Sequence, residues 1–321
     1  MIIIDSELHE LGEIETDVDV EIGSADSTND FELTNATMQD IHPGGFYIPG
    51  TEIGGLIDYT KDRADQDYTV LRGYTWRGLL AMRTLMPPAG SNYLVVSGDA
   101  NAIISTIIGN DFDGIFTVSS EVSGLTITSY QMPLYINMLD GIEGMLEKYG
   151  YRLKISATKV ESNEPIQILI EAVEATLIAG TFNEDNGIPM SFEINNMGYN
   201  HIICAGQGEL QNRMIRHLYI DENGDVSTTQ YYTGLEERQY FYDYASAQSE
   251  DDLIDNGRKK LLEIASHKTL SMQAPKDYTL QIGDLIRGSF PDGTVIVSPI
   301  VKKIFKIDDG IEKTEYKIKG E

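Results

Sequence analysis

Five histidines, His9, His42, His201, His217 and His267, are the first residues to weigh for catalysis. A nucleophile relay needs Ser or Cys, His and a carboxylate in defined contexts. None of the five stands beside a Gly-x-Ser-x-Gly elbow. His42 precedes Pro43 in a turn, His201 and His217 lie in strand-like runs, and His267 ends a helical pattern. Structural roles are expected for all of them. There is no His-x-x-x-His and no Cys-x-x-Cys, so the spacing of a common zinc site is missing. Asp221-x-Asn223-x-Asp225 opens like a calcium loop. Val226 stands where that loop needs glycine and Tyr232 where it needs glutamate, so a hairpin turn is expected. Gly206-Gln207-Gly208 lies between strand candidates and has Gln211 in place of the third glycine of a dinucleotide fingerprint. With 51 acidic residues, no catalytic carboxylate pair can be singled out. Tyr231, Tyr232, Tyr240, Phe241, Tyr242 and Tyr244 could stack on a sugar or a partner, or fill a sheet. No catalytic, cofactor-binding or metal-ligating residue is predicted.

The elements around these residues follow from periodicity. Ile14, Thr16, Val18, Val20 and Ile22 alternate with Glu15, Asp17, Asp19 and Glu21, which predicts a half-buried antiparallel strand with one acidic face. Further strands are expected at Asp30–Leu33, Phe46–Ile48, Glu52–Tyr59 and Tyr68–Tyr74, with a polar loop at 60–65. Residues 1–74 thus read as a meander or barrel. Trp76, Leu79, Leu80 and Arg83 switch to helical spacing, and Pro87-Pro88 stops it. Asp99 caps a helix bearing Ala100, Ile103, Ile104, Ile107 and Ile108. Met138, Ile142, Met145, Leu146 and Tyr149 stripe another, ended by Gly150. Strands at Tyr151–Val160 and Ile166–Val173, joined by the turn Glu161-Ser162-Asn163-Glu164, complete an α/β unit. The β pattern returns from Ile188, with strands at Ile202–Cys204 and Met214–Ile220. Ser249, with Asp252 three residues on, caps one helix whose buried face is Leu253, Ile254, Gly257, Leu261, Ile264 and Ala265. Tyr278–Ile282, Thr294–Ile307 and Ile311–Ile318 close the chain.

At 321 residues and 41% hydrophobic, the chain can build two or three cores. No apolar run approaches the roughly 20 residues that span a bilayer. Met1–Ile4 run straight into Asp5 and Glu7, without the basic start of a secretory signal. Cys204 is the only cysteine, which excludes an internal disulfide. The net charge of −27 argues against a grip on nucleic-acid phosphates and predicts repulsion of a polyanion.

Four tracts, taken in order, resemble the baseplate-hub family of siphophage and prophage tail tips, which includes the N-terminal structural module of tail-associated lysins. They are Ser27–Leu33, Arg72–Leu80, Asn200–Glu209 with Arg213, and Asp277–Ile286, together with a helix-then-strand unit over Leu139–Lys154. The resemblance covers nearly the whole chain. It implies a mainly β, α+β fold: two tail-tube-like antiparallel β-barrels with an inserted α/β unit and a smaller helical insertion. The implied divisions are 1–98 for the first barrel, 99–178 for the α/β insertion, 179–248 with 269–321 for the second barrel, and 249–268 for the inserted helix. It further implies a non-enzymatic virion tail protein, assembled in the bacterial cytoplasm as a homotrimer. That ring would close or extend the tail tube and let DNA pass without specific binding. Expected partners are a tail-tube or distal tail protein, the tape measure, and a fibre or lysin component. The chain stops at Glu321, so a lysin module is expected on another chain. A cell-wall hydrolase and a host-carbohydrate adhesin are the alternative readings.

Overall fold

The computed structural model describes residues 1–24, 27–35, 44–63, 68–159, 161, 164–178, 190–222, 224–247, 249–273, 280–289 and 295–318. His42, Ser162, Asn163, Asn223, Tyr278 and Thr279 lie outside these residues. The described chain falls into two units, Met1–Met190 with Ser271–Ile318, and Ser191–Leu270. Both are mainly β.

In the first unit, strands are β1 (Ile2–Ile4), β2 (Glu10–Glu13), β3 (Asp17–Gly23), β4 (Asp30–Asn35), β5 (Gly45–Tyr47), β6 (Gly54–Arg63) and β7 (Tyr68–Thr75). Helix α1 (Trp76–Ala81) follows, then β8 (Val95–Asp99), α2 (Ala100–Ile108), β9 (Phe116–Val118), β10 (Thr126–Gln131), α3 (Met138–Glu147), β11 (Tyr151–Thr158) and β12 (Gln167–Glu174). In the second unit, β13 (Met190–Asn195) leads to β14 (His201–Ala205), β15 (Ile215–Ile220), β16 (Val226–Ser227), β17 (Gln239–Asp243) and α4 (Glu250–Ile264). The chain returns to the first unit within β18 (His267–Gln273) and ends with β19 (Leu285–Ser289), β20 (Val295–Asp308) and β21 (Ile311–Ile318).

The main sheet of the first unit runs β21-β20-β3-β4-β7-β6-β5-β1-β2, antiparallel at every step. Its two faces differ because side chains alternate along a strand. Val18, Val20 and Ile22 of β3 and Phe31 and Leu33 of β4 are buried, and the intervening acids point outward. The 14-residue β20 changes partner along its length. Val295–Pro299 pairs with β19, whereas Lys302–Ile307 pairs with β3. The final strands therefore join a sheet begun almost 300 residues earlier.

Three capped helices and two small sheets complete this unit. Thr75 Oγ1, Asp99 Oδ1 and Asn137 Oδ1 accept backbone N–H bonds at the starts of α1, α2 and α3. β11 and β12 pair antiparallel, and β9 adds to β12 in parallel. Trp76, Leu80, Ile104, Ile142, Met145, Leu146, Ile155 and Ile168 pack into one core that also takes in Ile4 and Tyr47.

Three expectations change. The polar run from Thr60 to Arg63 is strand, because Lys61, Asp62 and Arg63 register against Val70, Thr69 and Tyr68. Leu280–Ile282 is not strand: Asp284 N donates to Gln281 O at 3.2 Å in a turn, and Gly283 takes φ +87°. His267 starts β18 instead of ending a helix, since α4 stops at Ile264. Strands β8, β9 and β10 escaped the periodicity reading. Two are three-residue or largely exposed segments, too short or too mixed for a period-two signal.

In the second unit a four-stranded sheet, β16-β15-β14-β17, carries α4 on one face. Ser249 Oγ accepts from Asp252 N at 3.1 Å and starts the helix as its pattern predicts. Leu253 and Leu261 then pack on Ile202, Cys204 and Leu218. Gly257 permits this approach, since a β-carbon there would meet Cys204 Sγ at 2.3 Å. Burial pushes the Cys204 thiol up to about 11, leaving it protonated and packed as an apolar side chain.

Candidate functional site

The acidic strand predicted from alternation forms part of a charged face on the main sheet. Asp17, Asp19 and Glu21 stand outward on β3, but β20 and β4 set cations and amides against them. Lys306 Nζ donates to Asp19 Oδ2 at 2.6 Å and Lys302 Nζ to Glu21 Oε1 at 2.7 Å. Glu21 also accepts from Thr28 N, and Asp17 Oδ1 accepts from Asp309 N at 3.1 Å. Glu32 lies opposite Asp19 in the ladder and is held by Arg72 from β7 at 2.5 Å. The row across β20, β3, β4 and β7 thus sets two adjacent acids, Asp19 and Glu32, between two cations, Lys306 and Arg72. Lys302 and its hydrogen bonds hold the Glu21 carboxyl below the ordinary range, against its partial burial. The surface is zwitterionic here, with the three cations engaged by carboxylates.

Each tract that carried the family resemblance holds a polar tie. From the first, Asn29 Oδ1 accepts Gly23 N at 2.8 Å, while Asn29 O accepts both Thr75 N and Thr75 Oγ1. From the second, Arg77 is buried, at 2% exposure. Its Nε donates to Glu52 Oε2 at 2.9 Å, its Nη2 to Leu153 O at 3.0 Å, and its Nη1 to Glu143. Burial pushes the Glu143 carboxyl up to about 7; Arg77 opposes that rise, and Asp140 and Glu52 add to it. From the last, Asp284 Oδ1 accepts Arg152 Nε at 2.7 Å and Thr176 N at 3.0 Å. From the third, Asn200 Oδ1 accepts Arg238 N and its Nδ2 donates to Glu236 O.

The histidines divide sharply. His9 N donates to Asp5 Oδ1 in a short turn. His201 and His217, separated by 15 residues of sequence, meet on the face of β14 and β15 opposite α4. His201 Nδ1 bonds Glu237 Oε1 at 2.7 Å and its Nε2 lies 2.8 Å from His217 Nδ1. Tyr219 stacks on His201 at 4.2 Å between centroids. The sequence reading missed this trio. Its signal is the hairpin register, His201 to Tyr219 and Ile203 to His217, which makes the two histidines diagonal neighbours. Nothing in the sequence marks Glu237.

The remaining candidates have structural tasks. Asp221 Oδ1 accepts Asp225 N at 3.0 Å within a turn. Gly206 and Gln207 exchange backbone bonds with Met214 between β14 and β15. Tyr240, Tyr242 and Tyr244 pack toward α4, and Tyr242 stacks on Tyr244. Phe241, on the other face, is 56% exposed, and Tyr231 is 50% exposed beside Tyr232. Among the described residues no group of three or more His, Cys, Asp or Glu is placed to hold a metal ion, and no helix is long and apolar enough to cross a membrane.

No family model matches the sequence, and no curated protein matches it. Solved structures do. The 43 kDa tail protein of prophage MuSo2 from Shewanella oneidensis is 12% identical, with a TM-score of 0.51 over 96% of this chain and 95% of that one. Prophage tail protein gp18 from Listeria monocytogenes is 15% identical, at a TM-score of 0.49 over 99% and 93%. A tail protein from Neisseria meningitidis is 11% identical, at 0.48 over 97% and 93%. The first of these, end to end and above one half in score, shows that this chain has the fold of a prophage tail protein.

Proposed function

We propose that this chain is a structural hub of a phage or prophage tail tip. Three copies form a ring that closes or extends the tail tube and surrounds part of the DNA path. The observation that carries this reading is a fold shared with a prophage tail protein over 96% of this chain and 95% of the other. At 12% identity that likeness speaks for architecture, and the assembly role is our inference from it. In this reading the sheet-rich segments 1–98 and 179–248 with 269–321 are the tube-like repeats, 99–178 is the insertion and 249–268 the smaller one. The ladder between β20 and β3 ties the two repeats together. Three copies with two repeats each would present a quasi-sixfold ring to a sixfold tube.

The charged face suits such a channel. Lys302, Lys306 and Arg72 are each engaged by a carboxylate, so they offer phosphates no bare cation, and the chain as a whole is strongly acidic. A non-enzymatic role draws support from the work the ionisable residues do, because Arg77, Asp284 and Asn200 hold segments together. Neighbouring tail proteins are the partners: tube or distal tail protein, tape measure, and fibre or lysin component. The site of action is the virion tail, after assembly in the host cytoplasm. Native mass measurement and electron microscopy of the chain with its tail-tube neighbour test this. A threefold ring with an axial opening is expected. A monomer that releases soluble fragments from peptidoglycan overturns it in favour of a hydrolase. The adhesin reading draws on exposed Phe241 and Tyr231, and glycan binding abolished by Phe241→Ala would establish it.

A further inference from the structure

The Glu237–His201–His217 trio belongs to the second unit and has no part in the assembly reading. His201 is buried, at 3% exposure, while His217 is exposed. Glu237 belongs to the segment leading into β17. The two ring centroids are 5.0 Å apart and the facing nitrogens 2.8 Å. That centroid distance is close to the nitrogen separation plus the two ring radii, so the nitrogens point at each other along one line. Two ligands of a metal ion would instead converge on a third point. The geometry is that of a shared proton.

With both rings neutral, His201 Nδ1–H donates to Glu237 and its Nε2 accepts from His217 Nδ1–H. One added proton makes His201 an imidazolium. It then donates to Glu237 on one side and to His217 Nδ1 on the other, beneath the Tyr219 ring, and every bond survives. A second proton must go to His217 Nδ1. It sets N–H against N–H and charge against charge at a separation that only a hydrogen bond sustains. The other groups facing the pair do not relieve this. Gln230 Nε2 and the Gln239 side chain bond Glu237 and keep it ionised, while Arg216 and Glu250 pair on the α4 side.

We propose that this trio is an acid-operated latch of the second unit: it holds through the first proton, and the second parts His217 on β15 from His201 on β14 while Glu237 stays on His201. The 236–238 segment keeps its own ties, since Asn200 N and His201 N both donate to Arg238 O at 3.1 Å and Asn200 Oδ1 accepts Arg238 N, so the movement falls on the exposed His217 ring. Burial first, and then the charge of His201, hold His217 below the ordinary histidine value, with Glu237 opposing. In the unfolded chain a histidine titrates at about 6.5. Folded His217 takes its proton at lower pH, so the unfolded state binds more protons in between. The stability that His217 contributes is therefore full above pH 6.5 and falls as the pH drops.

The test follows the ring nitrogens of the full chain by NMR from pH 8 to 4.5, alongside amide exchange corrected for intrinsic rates. Two coupled steps are expected, the second below the ordinary histidine value, with the nitrogen–nitrogen coupling between His201 Nε2 and His217 Nδ1 lost across it while exchange at Asn200, His201 and Gln239 stays level. In His217→Asn the second step and the coupling should both vanish. Two independent titrations near 6.5, or a coupling that survives the second step, overturn the latch. Should His217→Asn fail to fold, the wild-type titration decides alone: coupled steps support the latch and independent ones refute it.

Discussion

The two units cluster ionisable groups in opposite proportion. In the first, one guanidinium, Arg77, stands between two carboxylates, Glu52 and Glu143. In the second, one carboxylate, Glu237, stands behind two imidazoles. Burial first, and then the neighbouring acids, raise Glu143 against Arg77, and its unit gains from protons. Burial first, and then the charge of His201, depress His217 against Glu237, and its unit suffers from them. The lesson is that desolvation drives each group toward its neutral form, so whether an acid or a base is drawn out of water sets the direction in which pH acts on that part of the fold.

The largest effect that would sharpen this contrast is removal of the lone cation. Arg77→Met should cost about 3–5 kcal/mol, because two buried carboxylates lose their counter-charge. Denaturant unfolding followed by probes in each unit should show the loss in the first unit only. An equal loss in both would break the comparison. Next in size is the pH slope. Glu143 ionises near pH 7 when folded and near 4.5 when not. Its contribution is full below pH 4.5 and is lost as the pH rises through 7, by an amount on the order of a few kcal/mol. Glu143→Gln should flatten that slope in melting curves between pH 4.5 and 8 while leaving the acid-side fall of the second unit. Gly257→Leu should destabilise the second unit by about 1–3 kcal/mol through overpacking against Cys204. The smallest effect is that of the cap: Ser249→Ala should cost about 1 kcal/mol in the same unit, and a loss shared with the first unit would show that the two do not melt separately.

Local chemistry was legible where it was local in cause. Asp99 and Ser249 cap helices where their patterns place them, and the alternation from Val18 to Ile22 is the buried edge of β3. The tracts Ser27–Leu33, Arg72–Leu80, Asn200–Glu209 and Asp277–Ile286 pointed to the fold. The sequence did not say that Asn29, Arg77, Asn200 and Asp284 are the residues that tie each tract to a distant segment. The acidic stripe was read correctly as a face, yet its charge was misjudged in isolation, because Lys302 and Lys306 reach it from the opposite end of the chain.

Periodicity and capping residues were enough to determine strands and helices, since each depends on neighbours within a few positions, and composition alone fixed a strong excess of acid. Only the tertiary structure decided that β20 lies against β3, that Glu143 shares Arg77 with Glu52, and that His201 meets His217 in front of Glu237. Those contacts depend on register and on segments tens to hundreds of residues apart, and the cost of closing such loops is met by packing that no single stretch of sequence displays.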